Sequence, residues 1–263
     1  MSSKESSRKR LGTFRRYLSG PVDRIVGALG YQLVPRGRTL APGFDDRDVA
    51  TFQKVKPFTM TSPERVAALC QAIRYVVRSE IPGAIVECGV WRGGSMMAVA
   101  RTLMESQATD RELFLFDTFE GMPAPGERDR LFTGETVAEL LEHPGVADRI
   151  QAYASFEDVR KNMSSVAYPA ERLHFVRGKV EDTIPDRAPQ AIAVLRLDTD
   201  WYESTRHELL HLFPRLSTGG VLIIDDYGDW QGARQAVDEY VEKYQGPLLL
   251  NRIDHTGRIA VKL

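Results

Sequence analysis

Residues 83–95 read Gly-Ala-Ile-Val-Glu-Cys-Gly-Val-Trp-Arg-Gly-Gly-Ser. The run Ala84–Cys88 is short and mostly apolar, which predicts a buried strand. Gly89 then allows a sharp turn, and the following pair of glycines allows close approach of the backbone. Ser95 is a good helix cap, and it precedes a helix predicted over Met96–Met104. A strand, a glycine turn and a helix in this order build the first ligand crevice of a doubly wound α/β sheet.

A carboxylate near the end of this strand indicates the kind of ligand. Glu87 would repel a pyrophosphate, whereas it would favour a cationic or hydroxyl-bearing ligand. The residues therefore favour S-adenosylmethionine over a dinucleotide. The glycine spacing by itself is equally compatible with a plain tight turn.

Composition narrows the class of protein. The chain has 263 residues, 43% of them hydrophobic and 27% charged, as in an ordinary soluble globular protein. Its formal net charge of −1 argues against a nucleic-acid partner. The two cysteines show no metal or disulfide spacing, and neither a signal peptide nor a membrane-spanning run is apparent. These features predict a cytoplasmic protein.

The N-terminal segment differs from the rest of the chain. Residues 1–24 contain seven basic and two acidic side chains, so their net charge is 7 − 2 = +5, and apolar residues recur at helical spacing. This pattern predicts an arm and a helix that packs on its own domain or on a second subunit, as in a homodimer or larger homo-oligomer. The alternative is an amphipathic helix in peripheral contact with an anionic membrane. Because residues 35–48 resemble a linker, the predicted division is an arm over 1–48 and a main domain over 49–263.

The main domain alternates apolar strands with helices. Such a pattern predicts a Rossmann-like, doubly wound α/β fold with a mostly parallel sheet. The last two apolar segments flank a turn and predict an antiparallel edge strand. The predicted strands are Ala84–Cys88, Leu113–Phe116, Leu173–Arg177, Ile192–Leu197, Gly220–Ile224, Leu248–Ile253 and Arg258–Lys262.

Two further positions suit a small-molecule ligand. Ser62 and Pro63 predict the start of a helix that ends near Ser79, and Thr61 with the free amides there could bind a carboxylate. The alternative is a helix that is simply capped. Asp117 ends the second strand, where an acidic residue holds a ribose in dinucleotide-type sites, although it could also cap a turn.

Residues 123–170 form an insertion rich in charge, proline and glycine, which predicts a substrate lid with short helices at Thr136–Glu142 and Phe156–Ser164. His143 in this insertion is a candidate acid, base or substrate contact, and the alternative is a solvated surface histidine.

Three carboxylates follow two other strands. Asp198 ends the fourth strand, and Asp225 and Asp226 end the fifth. Because ligands bind beyond the carboxyl ends of parallel strands, these side chains should meet in one crevice. Several carboxylates together would repel one another without a cation, and all-oxygen ligation suits Mg²⁺, with Mn²⁺ as the alternative. The alternative for each acid is a turn cap.

The run His207-Glu208-Leu-Leu-His211 matches the H-E-x-x-H pattern of zinc proteases. However, it lies on a short crossover helix between two strands, and no third ligand follows in a recognisable context. A zinc site is therefore disfavoured.

Four motifs taken together resemble the macrocin O-methyltransferase (TylF/MycF-type) family. They span residues 85–95, 117–123 (Asp-Thr-Phe-Glu-Gly-Met-Pro), 195–205 (Leu-Arg-Leu-Asp-Thr-Asp-Trp-Tyr-Glu-Ser-Thr) and 219–227 (Gly-Gly-Val-Leu-Ile-Ile-Asp-Asp-Tyr). The similarity covers roughly residues 50–250. Thr199 and Trp201 depart from the pattern, where glycine and leucine are expected.

The resemblance implies methyl transfer from S-adenosylmethionine to a sugar hydroxyl with Mg²⁺. It implies a metal bound by Asp198, Asp225 and Asp226, with Asp198 also as base. It also implies cofactor contacts at Thr61, Ser62, Glu87, Gly89, Ser95, Asp117, Gly178, Val180 and Glu181.

The expected acceptor is a sugar or glycoside. A bound cation can lower the pKa of a hydroxyl, and Asp198 could then accept the proton. Two alternatives remain: a catechol-type O-methyltransferase, since a catechol is also a vicinal diol, and a non-enzymatic, membrane-associated scaffold.

Overall fold

The structure is a computed structural model that describes residues 44–142, 146, 150–244 and 247–263. The basic arm of residues 1–24, most of the predicted linker, and His143 lie outside the described residues. The predictions about them, including membrane contact and a role for the arm in an oligomer, stay predictions.

In the part of the chain that the structure describes, seven strands form one sheet. In chain order the strands are β1 (Ala84–Cys88), β2 (Leu113–Asp117), β3 (Leu173–Arg177), β4 (Ile192–Leu197), β5 (Leu216–Ile224), β6 (Asn251–Arg252) and β7 (Arg258–Val261). Their order in the sheet is β3-β2-β1-β4-β5-β7-β6. Strands β1 to β5 pair in parallel, whereas β7 runs antiparallel to β5 and β6. The predicted fold class is confirmed.

Besides the sheet, the described residues form helices. They are α1 (Asp46–Val55), α2 (Pro63–Arg78), α3 (Gly94–Glu105), α4 (Val137–Leu141), α5 (Phe156–Ser164), α6 (Val180–Thr183), α7 (Tyr202–Leu212) and α8 (Gln231–Lys243). Short 3₁₀ turns occur at Lys56–Phe58, Ala170–Arg172 and Phe213–Arg215.

Helix α1 begins inside the predicted linker. Asp45 caps the helix by accepting a hydrogen bond from the Arg47 amide. Asp48 is 1% exposed, and Arg74 of α2 donates to it at 2.6 Å. The last residues of the 35–48 segment are therefore ordered by an ion pair that the local composition does not reveal.

The core lies around the two central strands, β1 and β4, in which every residue is buried. Val86, Leu195 and Leu222 from three neighbouring strands join one apolar cluster, to which α7 contributes Leu209 and α8 contributes Val237. Strands buried on both faces are near-continuous apolar runs, and this is why the sequence predicts β1 and β4 with their observed bounds.

The edge of the sheet departs from the prediction. Strand β5 begins at Leu216 rather than Gly220, because Leu216 pairs with Ile192 before an irregular stretch. Strand β6 is limited to Asn251–Arg252, and both residues are exposed. The apolar run therefore predicts that a strand is present here, but it does not predict how many of its residues pair with the neighbouring strand.

Among the described residues, none of the helices combines the length and the apolar character of a membrane span. The predicted cytoplasmic location stays a prediction.

Candidate active site

The glycine turn after β1 brings two strands together at the carboxyl end of the sheet. Gly89 has a φ of +82°, and its amide donates to the Phe116 carbonyl at 2.9 Å. A Cβ at this position would lie 1.9 Å from the carbonyl oxygen of Asp198. Only glycine fits, because the turn needs both the left-handed backbone and the close approach to β4.

Helix α3 begins two residues earlier than the serine cap predicts. Its N-cap is Gly93, with a φ of +89°, and Gly94 is the first helical residue. Ser95 lies inside the first turn and is 5% exposed. The left-handed backbone available to glycine ends the turn, so Ser95 is free to face the crevice instead of capping the helix.

Asp117 at the end of β2 is tied to the glycine turn. Its carboxylate accepts hydrogen bonds from the amides of Val90 (2.6 Å), Trp91 (3.0 Å) and Phe119 (2.7 Å). Burial raises the pKa of this carboxyl, and the three amide hydrogen bonds oppose that rise. Asp117 therefore orients the loop, and it also lines the cavity beside it.

A cavity of about 380 Å³ opens at the carboxyl ends of the strands. Seven of the predicted cofactor residues lie along its wall, namely Thr61, Gly89, Ser95, Asp117, Gly178, Val180 and Glu181. They come from four segments: the residues just before α2, the glycine turn and the start of α3 after it, the end of β2, and the stretch that follows β3. The parallel sheet brings these separate segments to one crevice.

Two predicted cofactor residues do not lie at this wall. Glu87 is 1% exposed, and its Oε1 accepts from Arg196 Nη1 at 2.6 Å. The two residues pair in register on β1 and β4, so their side chains lie on the same face of the sheet. Ser62 caps α2 by accepting from the Arg65 amide at 3.1 Å, and its hydroxyl donates to Asp254 at 2.5 Å.

Three carboxylates meet at the edge of the cavity, and we call them the acidic cluster: Asp198, Asp200 and Asp226. One oxygen of each lies within 4.8 Å of the others. Burial, together with the charges of its neighbours, raises the pKa of Asp200 to about 7 and the pKa of Asp226 well above its ordinary value. Oxygen ligands at this spacing fit a divalent cation such as Mg²⁺ or Mn²⁺, which would offset their repulsion.

Asp225, the third ligand predicted from the sequence, has different partners. It is 3% exposed, accepts from Arg196 Nη2 at 2.5 Å, and forms an ion pair with Arg65. Thr61 donates to it at 3.3 Å. Consecutive residues after a strand point to opposite sides, so Asp225 and Asp226 diverge. Asp200, which the sequence pattern did not single out, takes the neighbouring place in the cluster.

Two arginines at this site were also missed. Arg196 is 3% exposed and donates to Glu87, to Asp225 and, at 2.7 Å, to Asp198. Arg65 donates to Asp254 at 3.0 Å in addition to its pair with Asp225. The signal for Arg196 was a charge inside the apolar run of β4, because a buried charge requires partners.

The two histidines of the H-E-x-x-H pattern contact a backbone carbonyl and each other. His207 Nε2 hydrogen bonds to the Ile184 carbonyl at 2.9 Å, and the centroids of the His207 and His211 rings are 4.4 Å apart. Glu208 is completely buried. Within the described ranges, the His, Cys, Asp and Glu side chains at metal-binding spacing are those of the acidic cluster.

The first part of the predicted lid is attached next to the acidic cluster. Asp129 accepts from the Tyr202 amide at 2.8 Å and from the Gly126 amide at 2.7 Å. Trp201 Nε1 donates to the Pro123 carbonyl at 2.9 Å. The Trp201 ring packs edge-on against the Trp230 ring, with 4.9 Å between the ring centroids. Apolar side chains of this segment, Leu131, Leu140 and Ile150, line the cavity together with Met122, which precedes the segment.

The fold and the position of the cavity define the class I methyltransferase architecture. The structure of the O-methyltransferase NovP has it too, with a TM-score of 0.68 at 32% identity over 78% of this chain and 82% of that chain. The family model for macrocin O-methyltransferase (TylF) matches residues 38–261, and the chain belongs to this family.

Two relatives are O-methyltransferases by name, and the name of the second contains a rhamnosyl group. A demethyldecarbamoylnovobiocin O-methyltransferase of Streptomyces niveus is 34% identical over 76% of this chain and 73% of its own length. An 8-demethyl-8-(2,3-dimethoxy-alpha-L-rhamnosyl)-tetracenomycin-C 4'-O-methyltransferase of Streptomyces olivaceus is 37% identical over the same shares of the two chains.

Proposed function

We propose that this protein transfers a methyl group from S-adenosylmethionine to a hydroxyl of a sugar or glycoside. Its membership of an O-methyltransferase family supports the transfer, and the rhamnosyl group in the name of the Streptomyces olivaceus relative supports the acceptor class. The observation that carries the proposal is the acidic cluster, which lies at the edge of the same cavity as the glycine turn.

The cofactor would lie along the wall formed by the glycine turn, Asp117 and Gly178–Glu181. S-adenosylmethionine supplies an activated methyl group on a sulfonium centre. Asp117 would accept hydrogen bonds from the ribose with lone pairs that its three amide partners leave free. Thr61 would contact the methionine end near the start of α2. Glu87 would act on the ligand indirectly, since Arg196 lies between it and the acidic cluster.

The metal site would be formed by Asp198, Asp200 and Asp226. A Mg²⁺ ion held there supplies Lewis-acid activation of neighbouring hydroxyl groups. Asp225 stays a predicted ligand, although it would first have to exchange its arginine partners.

Asp198 would accept the proton from the acceptor hydroxyl. Its side chain is 27% exposed, so it can reach a molecule in the cavity, and Arg196 fixes one of its oxygens at 2.7 Å. The other oxygen can face the acceptor. Lid residues 123–170 would exclude water and hold the acceptor in line with the methyl group.

Methyl transfer to a panel of acceptors tests this function. Radiolabelled S-adenosylmethionine is supplied with monosaccharides, glycosides and a simple catechol, with EDTA or with added Mg²⁺. We expect labelled glycosides, a loss of at least about 100-fold with EDTA that Mg²⁺ reverses, and a loss of similar size in Asp198→Asn.

The matched control is Asp186→Asn, a change at an exposed aspartate outside the cavity wall, which should keep full activity. Labelling of the catechol alone would favour the catechol-type alternative. Full activity of Asp198→Asn would remove the proposed base, and insensitivity to EDTA would remove the metal. Binding to anionic liposomes without binding of the methyl donor would favour the scaffold.

A further inference from the structure

One buried carboxyl, bonded to the loop of the acidic cluster, has no part in the function proposed above. Glu208 of α7 is completely buried. The Thr199 hydroxyl donates to both of its oxygens, at 3.0 and 3.2 Å. Burial raises the pKa of Glu208 well above its ordinary value. A buried carboxyl of this kind is costly unless it is hydrogen bonded.

Its partner stands between two members of the acidic cluster. Thr199 lies between Asp198 and Asp200 in the chain. Its hydroxyl therefore links the loop of the acidic cluster to α7, the helix that follows.

The loop needs such anchors because part of its backbone is strained. Asp200 has a φ of +65°, which is uncommon for a residue with a side chain. Conformations of this kind persist where the surroundings hold them from several sides. On the backbone, the Asp198 amide donates to Cys88 at 2.9 Å and the Trp201 amide to Thr199 at 2.7 Å. The hydrogen bond to Glu208 is the contact made by the Thr199 side chain.

We propose that Glu208 is a positioning residue, which holds Asp198 and Asp200 in metal-binding geometry through the hydroxyl of Thr199. The inference rests on the proposed metal site. The proposal also assigns a role to the glutamate of the H-E-x-x-H pattern. Glu208 would support a metal site formed by other residues, and the two histidines would not be ligands. Partners that orient metal ligands from outside the ligand set commonly contribute 10–100-fold to metal affinity.

Binding of Mn²⁺ alone, measured by electron paramagnetic resonance, tests this role without any turnover. We expect Thr199→Val and Glu208→Ala each to weaken Mn²⁺ binding by about tenfold. Because both changes remove the same hydrogen bond, the double variant should be little weaker than either single one. Thr199→Ser and Glu208→Gln keep a donor and an acceptor, and they should restore affinity to near the wild-type value.

Thr102→Val is the matched control. Thr102 is 1% exposed, and its hydroxyl donates to the Ala98 carbonyl inside α3, away from the acidic cluster. This variant should bind Mn²⁺ as the wild type does. Binding of S-adenosylhomocysteine by calorimetry reports on folding of the cofactor crevice, and it should stay unchanged in every variant.

The outcomes separate the two proposals. If the wild-type protein binds no Mn²⁺, the metal site itself fails. If the wild type binds Mn²⁺ and Thr199→Val and Glu208→Ala bind it within twofold of that affinity, the positioning role alone is overturned. Should Glu208→Ala fail to fold, Thr199→Val decides the question, since it removes the hydroxyl with little change of volume.

Discussion

At the scale of single residues, the candidate site places one buried arginine among several acidic side chains. Arg196 contacts three carboxylates at the ends of β1, β4 and β5. Removing one partner of such a group would leave an uncompensated buried charge, which is strongly destabilising. The same arginine keeps Asp198 in place before any ligand arrives. Arg196 therefore serves stability and the site together.

Gly89→Ala tests the close approach of β1 and β4. The new Cβ would lie 1.9 Å from the Asp198 carbonyl oxygen, so the two strand ends must move apart. We expect a loss of about 3 kcal/mol or more in the free energy of unfolding, measured by urea denaturation, together with loss of S-adenosylhomocysteine binding.

Gly134→Ala is its control, since Gly134 also has a positive φ, of +102°, and an added methyl group there would have no neighbour within 4 Å. It should cost only the backbone strain, about 1 kcal/mol. Equal losses in the two variants would show that strain, and not the approach to Asp198, requires glycine at position 89.

At the scale of elements, the site is assembled from segments that end at the same edge of the sheet. The segment after Pro123 is fixed to the start of α7 by Asp129, which is 4% exposed. The same start of α7 follows closely after Asp200. The lid and the acidic cluster are thus connected through a few hydrogen bonds, and acceptor binding should depend on them.

Asp129→Ala should loosen the lid. It removes two hydrogen bonds to a charged acceptor, worth roughly 1.5–3 kcal/mol each, and a loss of about 1.4 kcal/mol corresponds to tenfold. We expect the KM for the acceptor to rise about tenfold, with little change in the KM for S-adenosylmethionine, in steady-state kinetics. Glu127→Ala, a change at an exposed neighbour in the same loop, should leave both constants unaltered. Equal changes in both KM values would argue against a lid that acts on the acceptor alone.

At the scale of the whole molecule, the sheet order places the site where the chain changes direction. Strands β1, β2 and β3 extend to one side, and the chain then returns to place β4 on the other side of β1. A crevice forms at such a switch point, where connections leave in opposite directions. Acidic residues concentrate there, so protonation of the site should affect stability.

Stability without metal should therefore fall as pH rises. Burial raises the pKa of Glu87 to about 8 and that of Asp200 to about 7. The folded protein then binds more protons than the unfolded chain between about pH 4.5 and 8, and stability decreases with pH wherever that holds. We expect Tm in EDTA to fall by at least about 3 °C between pH 5.5 and 8, which corresponds to roughly 1 kcal/mol for a domain of this size.

Mg²⁺ should raise Tm more at pH 8 than at pH 5.5, because carboxylates must lose their protons to bind it. Glu87→Gln is the informative variant, since it replaces a carboxyl whose pKa burial raises to about 8 with an amide that does not titrate, and it should flatten the decline. A Tm in EDTA that rises across this pH range would contradict the protonated state of these carboxyls.

Much of this architecture could be predicted from local pattern. The run Ala84–Cys88, the glycines after it and the helix that follows were identified with the correct elements, and so were the acids at the ends of β2, β4 and β5. Apolar periodicity and the backbone freedom of glycine depend on a few neighbouring residues, so both can be recognised in the sequence alone. The order of the motifs along the chain was sufficient to indicate the family.

Only the tertiary structure decided which side chains meet. Glu87 pairs with Arg196 because β1 and β4 are in register, and Asp200 replaces Asp225 in the acidic cluster because two arginines hold Asp225. The burial of Glu208 beside Thr199 likewise depends on how α7 packs against the sheet. Side-chain direction at a strand end depends on the neighbouring strands and on competition between charges, and neither is a property of the local sequence.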